Sequence, residues 1–140
     1  MKRSEKIVNK MINGDAFSQW LGINIIKVSE GFCKLKMRVR KEMTNGFNIA
    51  HGGISYSLAD SALAFAANSD GIQSLSIETS ISHTKKVLLG DTLIAETKEI
   101  SKTNKSAVYS ISITNQENIE VAKFKGEVYR TKNKWITDKL

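Results

Sequence analysis

The sequence predicts an α+β fold in which a curved antiparallel sheet wraps one long central helix. Three observations carry this. Residues 54–69 include Leu58, Ala59, Ala62, Leu63, Ala64, Phe65, Ala66 and Ala67. These are apolar nearly all round a helix of about four turns, which marks a helix enclosed by other structure. Four strand patterns follow, joined by short turns, and strands joined that way pair antiparallel. Two more strand patterns precede the helix, and wrapping one helix in such a sheet is the economical α+β solution.

The elements read in chain order as follows. A first helix begins near Ser4 with Ile7, Val8, Met11 and Ile12 on one face, and stops at Asn13-Gly14. Asp15 caps a second short helix through Phe17, Trp20 and Leu21, ended by Gly22. Strands over 23–29 and 32–40 flank Glu30-Gly31, a tight hairpin. In the second strand Cys33, Leu35, Met37 and Val39 alternate with Lys34, Lys36, Arg38 and Arg40, so one face is core and the other is wet and cationic. Residues 41–53 read as irregular. After the central helix, Leu75, Ile77, Thr79 and Ile81 alternate with Ser76, Glu78, Ser80 and Ser82 over 74–82. The strand over 92–100 is less regular. Ala107, Tyr109, Ile111 and Ile113 share a face over 106–114. Ala122, Phe124, Gly126 and Val128 do so over 120–129, and residues 131–140 read as a loose basic tail.

A chain of 140 residues with 41% hydrophobic content fits a single domain, 1–140, with one core. No apolar run reaches the ~20 residues of a membrane span. No apolar segment follows the basic N-terminus, so no export signal is read and a cytoplasmic location is expected. The lone Cys33 cannot form an internal disulfide and alternates with core residues. Proline is absent, leaving turns to Gly, Asn and Asp. The net charge of +7 favours an anionic partner, but the lysines are spread along the chain. Lys34, Lys36 and Arg38 lack the interleaved aromatics of a nucleic-acid surface, and no nucleic-acid or membrane partner is expected.

Chemistry concentrates in 45–53 and in Asp60. Asp60 lies mid-helix among Leu58, Ala59, Ala62 and Leu63, with no basic residue at 56, 57, 63 or 64 to pair with it. One reading puts it on a solvent stripe or in a bond to Ser57 or Tyr56. The other keeps it in an apolar cleft, where desolvation raises its proton affinity and makes it a better base or nucleophile. His51-Gly52-Gly53 precedes the helix. The free N–H groups and positive dipole end there can hold a carbonyl oxygen as it becomes an oxyanion, and glycines let it approach. His51 is one of two histidines, and no His/Cys/Glu spacing matches a metal site, so His51 orders the loop or acts as a base, and no metal is expected. Gly52 and Asp60 are separated by about 12 Å of helix rise. One carbonyl group is too small to touch both from a single chain. If both act on it they come from two subunits, which implies a dimer with composite sites.

Asn45-Gly46, His51-Gly52-Gly53 and Ser57-Leu58-Ala59-Asp60-Ser61-Ala62 together closely resemble the signature of the PaaI-type hotdog thioesterases of phenylacetate degradation. The likeness continues through Asn68-Ser69-Asp70-Gly71 and Gly90-Asp91-Thr92-Leu93 and covers roughly residues 14–131. The resemblance implies a hotdog fold, hydrolysis of a phenylacetyl- or hydroxyphenylacetyl-type coenzyme A thioester, no metal or other cofactor, and a homotetramer built as a dimer of dimers. It implies that Asp60 activates water or attacks the thioester. Gly52 N–H would bind the thioester oxygen, and Gly53 is a candidate for binding substrate or coenzyme A. Asn45 would position water or substrate across the dimer interface, and Ser76 matches a serine that helps hold the water. Where relatives often have an apolar-Arg-Pro turn, this chain has His83-Thr84-Lys85-Lys86. The basic character survives, so Lys85 and Lys86 are candidates for coenzyme A phosphates. Phe47, Tyr56 and Phe65 are candidates for the acyl pocket.

Two rival readings stay open on the residues alone. One is an acyl-thioester hydratase or dehydratase using His51 with a carboxylate. The other is a non-catalytic module that binds acyl-CoA or nucleic acid.

Overall fold

The computed structural model describes residues 1–135. Its elements are α1 (Arg3–Asn13), α2 (Ala16–Leu21), β1 (Asn24–Ser29), β2 (Phe32–Arg38), α3 (Gly52–Asn68), β3 (Ile72–His83), β4 (Thr92–Lys102), β5 (Ser106–Thr114) and β6 (Glu120–Lys134), with a 3₁₀ turn at Lys41–Met43. The six strands form one antiparallel sheet in the order β1-β2-β4-β5-β6-β3. Helix α3 packs against β2, β3, β4, β5 and β6, which is the expected helix-in-sheet arrangement.

Local chemistry explains the entry to this fold. Ile7 and Val8 of α1 are buried. The Asp15 carboxylate accepts the Ser18 N–H at 2.9 Å and so caps α2. Ser29 faces Phe32 across a two-residue turn, where Gly31 takes φ +75°. Lys36 and Arg38 of β2 are exposed while Cys33, Leu35 and Met37 are fully buried, as their alternation requires. The Cys33 thiol donates to Ala62 O at 3.4 Å, and burial pushes its pKa up.

The core lies between sheet and helix. Leu58, Ala59, Ala62, Leu63, Phe65 and Ala66 of α3 meet Leu35 and Met37 of β2, Leu93 and Ala95 of β4, Tyr109, Ile111 and Ile113 of β5, and Phe124 and Val128 of β6. The alanines of α3 let the sheet come close. Gly126 of β6 sits directly against Leu63.

Two expectations are corrected, for the helix start and the tail, and one strand departs from regular alternation. The central helix begins at Gly52 and not at Ile54, because His51 caps it and draws both glycines into the first turn. Leu75 and Ile77 do not share a buried face with Thr79 and Ile81, because Ile77 is left unpaired where the register with β6 shifts between Ser76 and Glu78, and Leu75 stands opposite exposed Tyr129 on the outward face. Residues 131–134 are not a loose tail. They extend β6 alongside β3, the Thr131 hydroxyl donates to Gln73 O at 2.7 Å, and Trp135 Nε1 donates to Asn68 Oδ1 at 2.7 Å. The rest of the expected tail, 136–140, lies outside the described residues.

Candidate active site

His51 precedes α3 with an extended backbone, and its Nδ1 accepts the Gly53 N–H at 3.1 Å. That bond satisfies one of the free donors of the helix start. The neighbouring Gly52 N–H has no acceptor among the described residues and stands at the positive end of α3.

The Gly52 end opens into a cleft of ≈ 320 Å³. Its walls bring together Asn45, Gly52, Lys85 and Lys86 with Ser55, His83 and Val87. The irregular 41–53 segment is pinned there by backbone bonds from Ala50 N–H to Val87 O and from His51 N–H to Met43 O, both 2.8 Å. Asn45 Oδ1 accepts the Phe47 N–H at 2.9 Å, which turns the loop and leaves the Asn45 amide NH₂ free of protein acceptors among the described residues. Lys85 and Lys86 are exposed and form no ion pair among the described residues.

Asp60 is not in this cleft. It lies on the one half-open stripe of α3, with Tyr56, Ser57 and Ala64, and about 12 Å of helix rise separates it from Gly52. Its neighbours are tied elsewhere. The Tyr56 hydroxyl bonds Thr79 Oγ1 of β3, the Ser57 hydroxyl donates to Gly53 O at 2.7 Å, and Ser61 Oγ bonds Ser18 Oγ of α2 at 2.8 Å. The carboxylate has no hydrogen bond and no cation among the described residues. Burial raises its pKa, and the nearby negative charge of Asp15 raises it further. An unpaired, half-buried carboxylate of raised proton affinity is suited to accepting a proton or attacking a carbonyl.

The other sequence-derived candidates are dispersed. Ser76 is exposed but pairs with buried Val128, which puts it on the α3 side of β3 and away from the Gly52 cleft, and Gly53 is exposed in the first turn of α3. Phe65 is buried in the core and does not line the cleft, and Phe47 is 84% exposed at the loop tip. Among the described residues no group of three His, Cys, Asp or Glu side chains could hold a metal ion. No helix of those residues is long and apolar enough to cross a membrane. Sequence reasoning missed His83. It ends β3, lines the cleft, and places Nε2 3.3 Å from where a Cβ on Gly52 would be.

Comparison with known proteins agrees with this architecture. The thioesterase superfamily model matches residues 47–122. A putative esterase of Archaeoglobus fulgidus is 41% identical over 126 residues, covering 90% of this chain and 82% of that protein. The acyl-coenzyme A thioesterase PaaI of Escherichia coli is 38% identical over 120 residues, covering 86% of each. The structure of the E. coli PaaI protein from the phenylacetic acid degradation operon superposes with a TM-score of 0.92 at 35% identity, covering 94% of this chain and 96% of that one. A hypothetical thioesterase from Streptococcus pneumoniae, solved with coenzyme A, gives a TM-score of 0.82 at 26% identity, covering 87% and 95%. By sequence, fold and the helix-start motif together, the chain belongs to the thioesterase superfamily, as a hotdog thioesterase of the PaaI type.

Proposed function

We propose that the chain hydrolyses an aryl coenzyme A thioester, of phenylacetyl or hydroxyphenylacetyl type, at composite sites formed between two protomers. The observation that carries the two-protomer reading is the separation of its parts. The cleft at the Gly52 end holds amide donors and lysines but no carboxylate, and Asp60 opens elsewhere on the same helix. A second copy would supply the missing acid. The free edge of β3 supports this, since Leu75 and Ile77 of that strand are 67% and 60% exposed, and Tyr56 of the half-open stripe that carries Asp60 bonds Thr79 of the same strand. Two such dimers would make the tetramer that the family resemblance implies.

In this reading Gly52 N–H binds the thioester oxygen, and Lys85 and Lys86 meet the phosphates of coenzyme A. Asn45, aided by Ser76, orients a water molecule. Asp60 of the partner protomer takes a proton from that water as its oxygen bonds to the carbonyl carbon. The electron pair on the resulting oxyanion then re-forms the carbonyl, the C–S bond breaks, and the thiolate leaves with the coenzyme. Direct attack by Asp60 to form an anhydride is the alternative route. The aryl preference draws support from the operon of the E. coli relative, and the coenzyme from the ligand of the pneumococcal one.

Thiol release from a panel of aryl and alkyl acyl-CoAs, compared by kcat/KM, tests the substrate. Phenylacetyl-type thioesters are expected to lead, and a preference for long alkyl chains would refute the aryl assignment. Asp60→Asn should lose ~10²-fold or more in rate with fold and assembly intact, and a variant at wild-type rate would remove Asp60 from the mechanism. Single-turnover hydrolysis in ¹⁸O water separates the routes, because label entering the Asp60 carboxylate marks direct attack.

A further inference from the structure

We propose that His83 is a second donor to the thioester oxygen, acting beside Gly52 N–H. The proposal rests on the thioesterase reading above and names a residue that reading does not use.

The geometry comes from strand parity. From Thr79 onward β3 pairs regularly with β6, so Thr79, Ile81 and His83 point to one side. Thr79 bonds Tyr56 of α3 and Ile81 packs on the core, so this is the helix side of the sheet. His83 therefore comes to lie over the start of α3. Its Nε2 is 3.3 Å, and its Cε1 3.6 Å, from the position of a Cβ on Gly52. In a helix that Cβ direction leans toward the N-terminus, the same side to which the first N–H groups project. Gly52 and His83 thus border one small volume at the wall of the cleft, and neither the Gly52 N–H nor the His83 ring has a hydrogen-bond partner among the described residues. An oxygen seated there can accept from both.

A single backbone amide is a sparse oxyanion site, and a second fixed donor strengthens it where charge develops. As the nucleophile's oxygen bonds to the carbonyl carbon, the C=O π pair moves onto oxygen and is held by Gly52 N–H and His83 Nε2–H. When the pair returns and the C–S bond breaks, both donors keep their protons. His83 transfers nothing and is a catalytic residue only through its contact with that oxygen.

The test compares His83→Phe, which keeps a flat ring without a donor, and His83→Gln, which restores an N–H, on an acyl-CoA and on the matching acyl-N-acetylcysteamine thioester, which carries no phosphate. Expected is a loss of kcat of about 10²-fold in the Phe variant on both substrates, with KM little changed, and partial recovery in the Gln variant. An unchanged kcat on both overturns the proposal. So does a loss confined to KM for the acyl-CoA, which would make His83 a phosphate contact. A coenzyme A ketone analogue, with CH₂ replacing sulfur, gives a readout independent of turnover. Its bound carbonyl infrared band should lie lower in the wild type than in His83→Phe, and equal bands refute the donor. If the wild type cleaves no thioester, the functional reading fails, and the infrared comparison still decides the role of His83.

Discussion

Leu63 Cδ2 of α3 lies 2.5 Å from the point at which Gly126 of β6 would carry a Cβ. Leu63 Cδ1 and Phe124 Cε1 crowd the same point, each at 3.2 Å, so rotating one side chain does not make room. Gly126→Ala is therefore expected to destabilise the fold by about 1–3 kcal/mol through overpacking. The urea midpoint would fall at unchanged m-value. A midpoint equal to the wild type would mean that α3 has slack against the sheet.

Asp70, in the turn from α3 to β3, joins three elements. Its Oδ2 meets Arg130 Nη1 at 2.7 Å and Lys102 Nζ at 3.2 Å, and its Oδ1 accepts the Ile72 N–H at 3.1 Å. Burial by itself would raise this carboxyl, but those three partners outweigh it and hold the pKa below the usual carboxylate range. A depressed folded-state pKa contributes stability above the unfolded value of about 3.9, and that contribution is lost as pH falls through the folded value. Asp70→Asn should cost about 3 kcal/mol at neutral pH, because it leaves Arg130 buried without its anion. The variant should also lose less stability than the wild type on acidification below about pH 4. Parallel urea titrations across that range check both statements.

Asp15 raises the proton affinity of Asp60, after burial, through its charge. If Asp60 is the base, activity falls as pH drops through its raised pKa, so the acid limb of kcat/KM lies above the ordinary carboxylate range. Asp15→Asn keeps the cap on α2 but removes the charge. Its acid limb should move to lower pH, and a limb that stays in place would separate Asp60 from the profile.

The exposed edge of β3 predicts assembly. Leu75→Lys combined with Ile77→Lys places two charges where a second copy would pair. Sedimentation velocity should show this variant as a monomer, with thioester hydrolysis reduced at least ~10-fold because composite sites cannot form. A monomeric variant with full activity would contradict the two-protomer site.

The sheet was readable where a strand has contrasting faces. Tyr109, Ile111 and Ile113 alternate with Ser110 and Ser112, and all three are buried. It was not readable at β3, whose alternation looks equally good although Leu75 and Ile77 are exposed, because the register shift at Ile77 reverses the faces and is set by pairing with β6, far away in the chain. The end of β6 was also hidden. Lys132, Asn133 and Lys134 have no strand pattern of their own and are held by pairing and by the anchors at Thr131 and Trp135. In the site, the glycine-headed helix and the unpaired Asp60 followed from local pattern. A lone histidine at a strand end has no such pattern, and what brings His83 to Gly52 is the pairing of β3 with β6.

The burial of Cys33 bears on how this enzyme tolerates its own product. Each turnover in the proposed reaction releases a free mercaptan, a potential partner for mixed-disulfide exchange. The only sulfhydryl on the chain is fully buried and held protonated, so it offers little nucleophile for such exchange. Colorimetric reagents for sulfhydryls should accordingly count coenzyme alone while the fold is intact, and a stoichiometric background from the resting enzyme would report unfolding.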